Sequence, residues 1–243
     1  MLILLPPSET KAAGGAEAPL NLESLSFSSL NSIRQTIIED LVALCADEDQ
    51  ALATLKLSAK LLPEVQANQQ LWNAPTMEAL DRYTGVLYDA LAASTLSADA
   101  RSRLAVGSAL FGVVGGTDLI PHYRLSATSK VPTGAGELPT MRTRWGKAIT
   151  ETLTDPKLGM IFDFRSGGYQ NLGKVAGAVT AKVVTPNGKT VSHFNKHHKG
   201  LLARALATSD QPAESIVDAV EVAQSAGLKA WSEGDVIVVE YEG

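Results

Sequence analysis

Apolar residues recur along this chain with two different periods. LNSIRQTIIEDLVALCA sets Ile33, Ile37, Leu41 and Leu44 on one face at a spacing of about 3.6 residues, which predicts an amphipathic helix. Similar patterns predict helices over DQALATLKLSAKL, over PEVQANQQLW and over MEALDRYTGVLYDAL, the last with Thr76 as its N-cap. Other stretches are short and continuously apolar. MLILL, stopped by Pro6 and Pro7, reads as a buried strand, and LAVGSALFGVV, small and uncharged, as a strand buried on both faces. Beyond it, TMRTRWGKAITETL reads as a helix and GMIFDF as a strand. AVTAKVV and KTVSHFN form the arms of a hairpin around Pro186-Asn187-Gly188. HKGLLARALA and AESIVDAVEVAQSA are helical, and LKAWSE and DVIVVEY close the chain as strands. Strands and helices interleaved in this way, with at least one hairpin, predict an α/β protein. With no internal repeat, low-complexity tract or long linker, the expectation is a single compact domain over residues 1–243, a mixed β-sheet flanked by helices.

The composition, 45% hydrophobic and 19% charged over 243 residues, is that of an ordinary soluble domain. The leading apolar run, Met1 to Leu5, is too short for a membrane span and carries no basic flank of an export signal. Together with a single cysteine, Cys45, this predicts a cytoplasmic protein with no membrane partner. Cys45 precedes Asp47, Glu48 and Asp49, which would raise its thiol pKa and make it a packing residue.

Charge changes the picture more. Between Leu119 and Ser209 there are 13 Lys and Arg against four carboxylates, a balance of +9, while the remainder carries −14. No carboxylate occurs from Phe164 to Ser209. Segregation of this kind fits a polyanionic or phosphate partner, or else neutralisation of the basic part by the acidic part across an internal contact.

The densest basic stretch is SHFNKHHKG, where a predicted strand meets a predicted helix. Cations at a helix N-terminus oppose the helix dipole, so Lys196 and Lys199 point to a bound anion there, with solvated lysines as the plain alternative. His193 and His197 are four apart, but no carboxylate fills the slot of a zincin motif, so no metal and no cofactor is expected. In FDFRSGGY, Asp163 and Arg165 alternate along a strand and share a face. Arg165 can take phosphate or pair with Asp163, and Ser166 with Gly167 and Gly168 lets a ligand approach the backbone. PPSETK also follows a strand. Its Ser8 and Lys11 imitate the S-x-x-K of penicillin-binding enzymes, without the S-D-N that such enzymes need. Tyr123 and Arg124 offer a ring and a guanidinium for a ligand, or a buried hydroxyl and a partner for Asp118.

LLPPSETK, RYTGVLYDAL, SALFGVVGGTDLIPHYRLS, RWGKAI, DFRSGGY and SHFNKHHKGLLAR occur in that order. Over essentially its whole length the chain resembles the YaaA peroxide-stress protein family. The resemblance implies a compact α/β domain of unusual topology, a part in surviving hydrogen peroxide by limiting damaging free iron, and DNA binding through a basic cleft and a helix-hairpin-helix element. Carried over by motif, the ligand-binding positions are Lys196, Lys199 and Arg204 in NKHHKGLLAR, Arg124 in HYRLS, and Ser166 with Tyr169 in RSGGY. Ser8, Glu9 and Lys11 stand in a variant of a motif that reads S-P-A-K-T elsewhere in the family. The hairpin element would fall in LATLKLSAKLLPEVQANQQLW. Pro63 replaces the Gly-x-Gly turn of such elements, and Lys56 and Lys60 are its only cations, so two packed helices without a ligand are expected.

Two readings follow. One is an oxidative-stress protein, a monomer by default, that binds DNA through phosphate contacts with little regard for base sequence. The other is an enzyme on a small nucleotide or phosphorylated substrate, in a pocket lined by Ser8, Glu9, Asp163 and Lys196 with Glu9 or Asp163 as acid or base.

Overall fold

The computed structural model describes residues 1–190 and 195–241. In chain order its strands are β1 (Leu2–Leu5), β2 (Glu17–Pro19), β3 (Pro75–Glu78), β4 (Leu104–Ser108), β5 (Gly112–Gly115), β6 (Leu119–Ile120), β7 (Ile161–Asp163), β8 (Thr180–Val184), β9 (Ala230–Glu233) and β10 (Val236–Glu240). The helices are α1 (Asn31–Cys45), α2 (Glu48–Leu55), α3 (Leu62–Gln69), α4 (Ala79–Arg82), α5 (Val86–Leu91), α6 (Ala98–Ser102), α7 (Met141–Trp145), α8 (Ala148–Leu153), α9 (Gly167–Gln170), α10 (Asn195–Thr208) and α11 (Ile216–Ser225). The fold is α/β with mixed sheets.

MLILL supplies the central strand. All four residues of β1 are buried, and β1 pairs in parallel with β4 on one side and β7 on the other. A strand flanked on both sides and covered on both faces has no use for polar residues, hence the continuous apolar run. The sheet runs β5-β4-β1-β7, with β5 antiparallel to β4. It continues towards a second sheet, β8-β10-β9, because the Val179 N–H donates to the Ile161 carbonyl at 2.9 Å and the Asp163 N–H to the Val179 carbonyl at 2.8 Å. A third, small sheet orders β2-β3-β6.

Three sequence expectations are corrected by backbone breaks. LAVGSALFGVV is a hairpin rather than one strand. Ser108 Oγ accepts the Leu110 and Phe111 N–H groups at the turn, and Gly112 takes φ 73°, which a side chain there would strain. MEALDRYTGVLYDAL is strand, helix, break and helix. Thr76 lies buried in β3 and donates to the Ala18 carbonyl instead of capping a helix, and Gly85 at φ 97° separates α4 from α5. TMRTRWGKAITETL is likewise split, at Gly146, into α7 and α8. The turn at Pro186-Asn187-Gly188 forms, with the Gly188 N–H on the Thr185 carbonyl and a bridge from Val184 to Thr190, while the rest of its second arm and His193 lie outside the described residues.

Cys45 is buried on the core side of α1, and burial pushes its thiol pKa up to about 11. The thiol is inert, as expected, through desolvation rather than through neighbouring carboxylates. α2 and α3 pack on α1 and on each other as a helix pair, with Lys56 ending α2 in a left-handed conformation.

α10 lies against α5 with no room between them. A Cβ on Gly200 would stand 2.3 Å from the Leu87 carbonyl oxygen and 2.8 Å from Ala90 Cβ. Gly200→Ala would gain about 1 kcal/mol in an isolated helix. Here the obstacle is backbone, and we expect a net loss of about 1–3 kcal/mol from overpacking. Chemical denaturation checks the sign: a stabilised variant would show that the two helices separate freely.

Candidate functional site

Gly200 also tells the direction of α10. Gly200 meets Leu87 and Ala90, and four residues on, Arg204 donates to the Leu91 carbonyl at 2.9 Å and the Ala92 carbonyl at 3.3 Å. Contacts advance along both helices together, so α5 and α10 run parallel. Their N-terminal ends, Gly85 and Val86 on one and Asn195 and Lys196 on the other, open onto the same cleft of about 900 Å³. The opposite wall is the loop Pro6–Thr10 that leaves β1, and the end of β7 with the start of α9 forms the floor. The N-terminus of α10 brings partial positive charge to this cleft.

Eight of the residues singled out from sequence line this cleft: Ser8, Glu9, Asp163, Arg165, Ser166, Tyr169, Lys196 and Lys199. Their charges are not equally available. Arg165 is 2% exposed and closes on Asp163 through two hydrogen bonds of 2.8 Å, with a third of 2.8 Å to the Gly173 carbonyl. Gly107 makes the space, since a Cβ there would lie 2.6 Å from Arg165 Cδ. Of the two partners left open for Arg165, the structure therefore gives it Asp163. Glu9 is held by Arg124, whose Nη2 donates to Glu9 Oε2 at 2.8 Å and whose Nη1 donates to the Glu9 carbonyl at 3.1 Å. Asp118 is not the partner of Arg124; it accepts from the Ser26 N–H and hydroxyl and from the Gly115 N–H.

Lys196 and Lys199 have no carboxylate ion pair among the described residues. Lys196 is exposed and Lys199 half-buried. Burial holds the Lys199 ammonium below its ordinary pKa, with Asp163 acting in the opposite sense. Three apart on one helix, the two lysines lie on the same face. Arg204 is directed elsewhere: besides the α5 carbonyls, its guanidinium donates to Thr95 Oγ1 at 2.8 Å, which places it on the C-terminal end of α5 and not in the cleft.

Lys11 is drawn beneath the loop. Its Nζ lies 4.3 Å from the Tyr123 ring centroid and 5.5 Å from that of Tyr83, and donates to the Ser8 carbonyl at 3.1 Å. The Tyr123 hydroxyl is 2.7 Å from those of Tyr83 and Ser108, a buried polar trio. Burial, then the positive charge of Arg124, pulls the Lys11 pKa down to about 7, and the ring faces and carbonyls do not offset them. Ser8 Oγ donates to the Thr10 carbonyl and accepts the Thr84 N–H, so Lys11 meets the carbonyl of Ser8 and not its hydroxyl. This is loop architecture rather than a Ser-Lys nucleophile.

Sequence reasoning passed over Thr84, Gly85 and Tyr88, which bring α5 to the cleft, and Asn195 at the start of α10. The visible signal was Thr84-Gly85, a turn pair inside a helical pattern. Among the described residues no group of three or more His, Cys, Asp or Glu could hold a metal ion, and His122 is engaged by Glu64 at 2.9 Å.

The sequence profile of the family described as peroxide stress protein YaaA matches residues 1–229. The chain belongs to the YaaA family. A UPF0246 protein of Corynebacterium glutamicum is 55% identical over 232 residues, covering 94% of both chains. A UPF0246 protein of Streptomyces coelicolor is 40% identical, covering 96% of this chain and 93% of its own. A Campylobacter jejuni protein described as uncharacterized is 28% identical, covering 83% and 82%. Membership places this YaaA-family chain among peroxide-stress proteins, and among the described residues no helix is long and apolar enough to cross a membrane.

Two variants test the charge assignments in the YaaA fold. Arg165→Ala leaves Asp163 buried without its partner, and we expect a loss of about 3–5 kcal/mol in denaturant unfolding. A loss below 1 kcal/mol would mean that the pair is solvated. Lys11 binds its proton less tightly folded, at about 7, than unfolded, at the ordinary 10.5. Between these values the unfolded chain holds more protons, so stability rises with pH from about 7 to about 10.5. Lys11→Met should remove that part of the rise and be the more stable protein at pH 7; parallel pH–stability curves for the two would contradict it.

Proposed function

We propose that this YaaA-family protein serves the peroxide-stress response in the cytoplasm by binding a phosphate-bearing ligand in the cleft between the Pro6–Thr10 loop and the N-terminal ends of α5 and α10. The observation that carries this reading is the imbalance of available charge. Both cleft carboxylates, Glu9 and Asp163, pair with arginines, while Lys196 and Lys199 have no carboxylate ion pair among the described residues, so the recess keeps an excess of two positive charges. Parallel helix N-termini add to the same potential.

DNA is the ligand that the family resemblance implies, bound through its phosphates and without regard to sequence. Limiting free-iron damage would then follow from what is bound, since no group of potential metal ligands gathers among the described residues. The enzymatic reading has less support. Asp163 is buried and closed on Arg165, so it would have to leave that partner to reach a substrate, while Glu9 meets Arg124 at the surface.

A salt titration of DNA binding tests the proposal. Each phosphate contact contributes a slope of about −0.9 in log K against log salt, so Lys196→Ala/Lys199→Ala should weaken binding and flatten the slope by about 0.9 for one phosphate held by both lysines. An unchanged affinity and slope in the double variant would remove the cleft from DNA binding.

A further inference from the structure

The uncharged part of the cleft narrows the ligand further. Two lysines one helical turn apart can close on a single phosphate group. Around them the lining is neutral. Val86 is 43% exposed, one of only three large apolar side chains so exposed among the described residues, and it stands at the cleft with Pro6, Pro7 and the half-buried ring of Tyr169. An exposed apolar side chain beside an aromatic ring and two proline rings is a surface for a flat ring.

Asn195 adds a demand of its own. Its Oδ1 is buried, lines the same cleft through its residue, and has no hydrogen-bond partner among the described residues. A buried carbonyl oxygen without a donor is costly. A phosphate dianion cannot satisfy it, because the dianion brings acceptors and no spare donor. A sugar hydroxyl or an exocyclic amine can. The hydroxyls of Ser166, Thr10 and Thr180 stand on the same lining for the remaining polar edges.

Phosphate, donor groups and a ring in one molecule define a class. Resting on the phosphate reading above, we infer that the cleft binds a single nucleotide unit, with its phosphate on Lys196 and Lys199, a hydroxyl or amine on Asn195, and its base against Val86, Pro6, Pro7 and Tyr169. The volume of about 900 Å³ lies within the range of about 300–1,000 Å³ usual for such ligands. The unit can be a free nucleotide or an unpaired nucleotide of a strand, which share this chemistry.

Calorimetric titration with AMP, ribose 5-phosphate and inorganic phosphate separates the parts. AMP should bind about tenfold tighter than ribose 5-phosphate, which corresponds to 1.4 kcal/mol, and ribose 5-phosphate tighter than inorganic phosphate. Tyr169→Ala and, as a neutral variant at an exposed position, Val86→Ser should bring AMP to the level of ribose 5-phosphate and leave ribose 5-phosphate unchanged. Asn195→Leu should erase the advantage of ribose 5-phosphate over inorganic phosphate. Equal affinity for AMP and ribose 5-phosphate would overturn the nucleotide assignment and leave the phosphate reading standing. Binding of none of the three would overturn both. A five-residue oligoadenylate that displaces AMP at equal or lower concentration identifies the strand as the source, and one that does not identifies the free nucleotide.

Discussion

The closest constraint in this structure is the contact between Gly200 and the Leu87 carbonyl, because it decides where two helices can begin. With a side chain at position 200 the helices would stand apart, and the start of α10 would leave the end of β1. With hydrogen there, α10 slides along α5 until Arg204 reaches the carbonyls at the far end of α5. One interaction anchors the middle of the helix pair and the other its C-terminal end. The N-terminal ends are then held open over the strand ends of the central sheet, where an α/β protein commonly places its ligands.

The same contact explains why residues distant in sequence share a recess, and pairing explains why so few of them remain charged towards it. Arginine is well suited to buried pairing because its planar fork satisfies a carboxylate and a carbonyl together. Arg165 does so in the buried floor with Asp163 and the Gly173 carbonyl, and Arg124 makes the same two kinds of bond to Glu9 at the exposed surface of the loop. Of the basic residues of the central region, Arg165 builds the cleft floor, Lys196 and Lys199 line it without a carboxylate ion pair among the described residues, and others such as Arg144 and Lys182 pair with Asp40 and Glu233 elsewhere.

Much of the fold was legible because its signals are local. β1, α1, α10 and the closing strands follow from apolar period and length, whereas the choice of Asp163 over phosphate as the partner of Arg165 was open in the sequence, and β7 ends at Asp163. The breaks were harder. Gly112, Gly85 and Gly146 each interrupt a stretch whose apolar pattern reads continuously, and only the positive backbone angle reveals the turn. The site was legible as to which segments contribute, since motifs after β1, after β7 and at the start of α10 meet as expected. Availability of charge was not legible. That Arg204 turns away to α5 depends on the parallel packing, and that Lys11 lies under two tyrosines depends on a bridge from Lys11 to Tyr83 across a separation that no local pattern encodes.

Lys199 connects these threads. Burial lowers its pKa while the nearest carboxylate, Asp163, is already turned towards Arg165, so the cation stands in a setting that neither hydrates nor pairs it fully. Such a group is a poor contributor to stability but a strong contributor to binding, because an arriving anion recovers the interaction that folding withheld. An anion bound beside Lys199 would favour its charged form and so act against the lowering by burial. On the proposed reading the exposed Lys196 would attract an anion at a distance, and the half-buried Lys199 would meet one that enters the cleft.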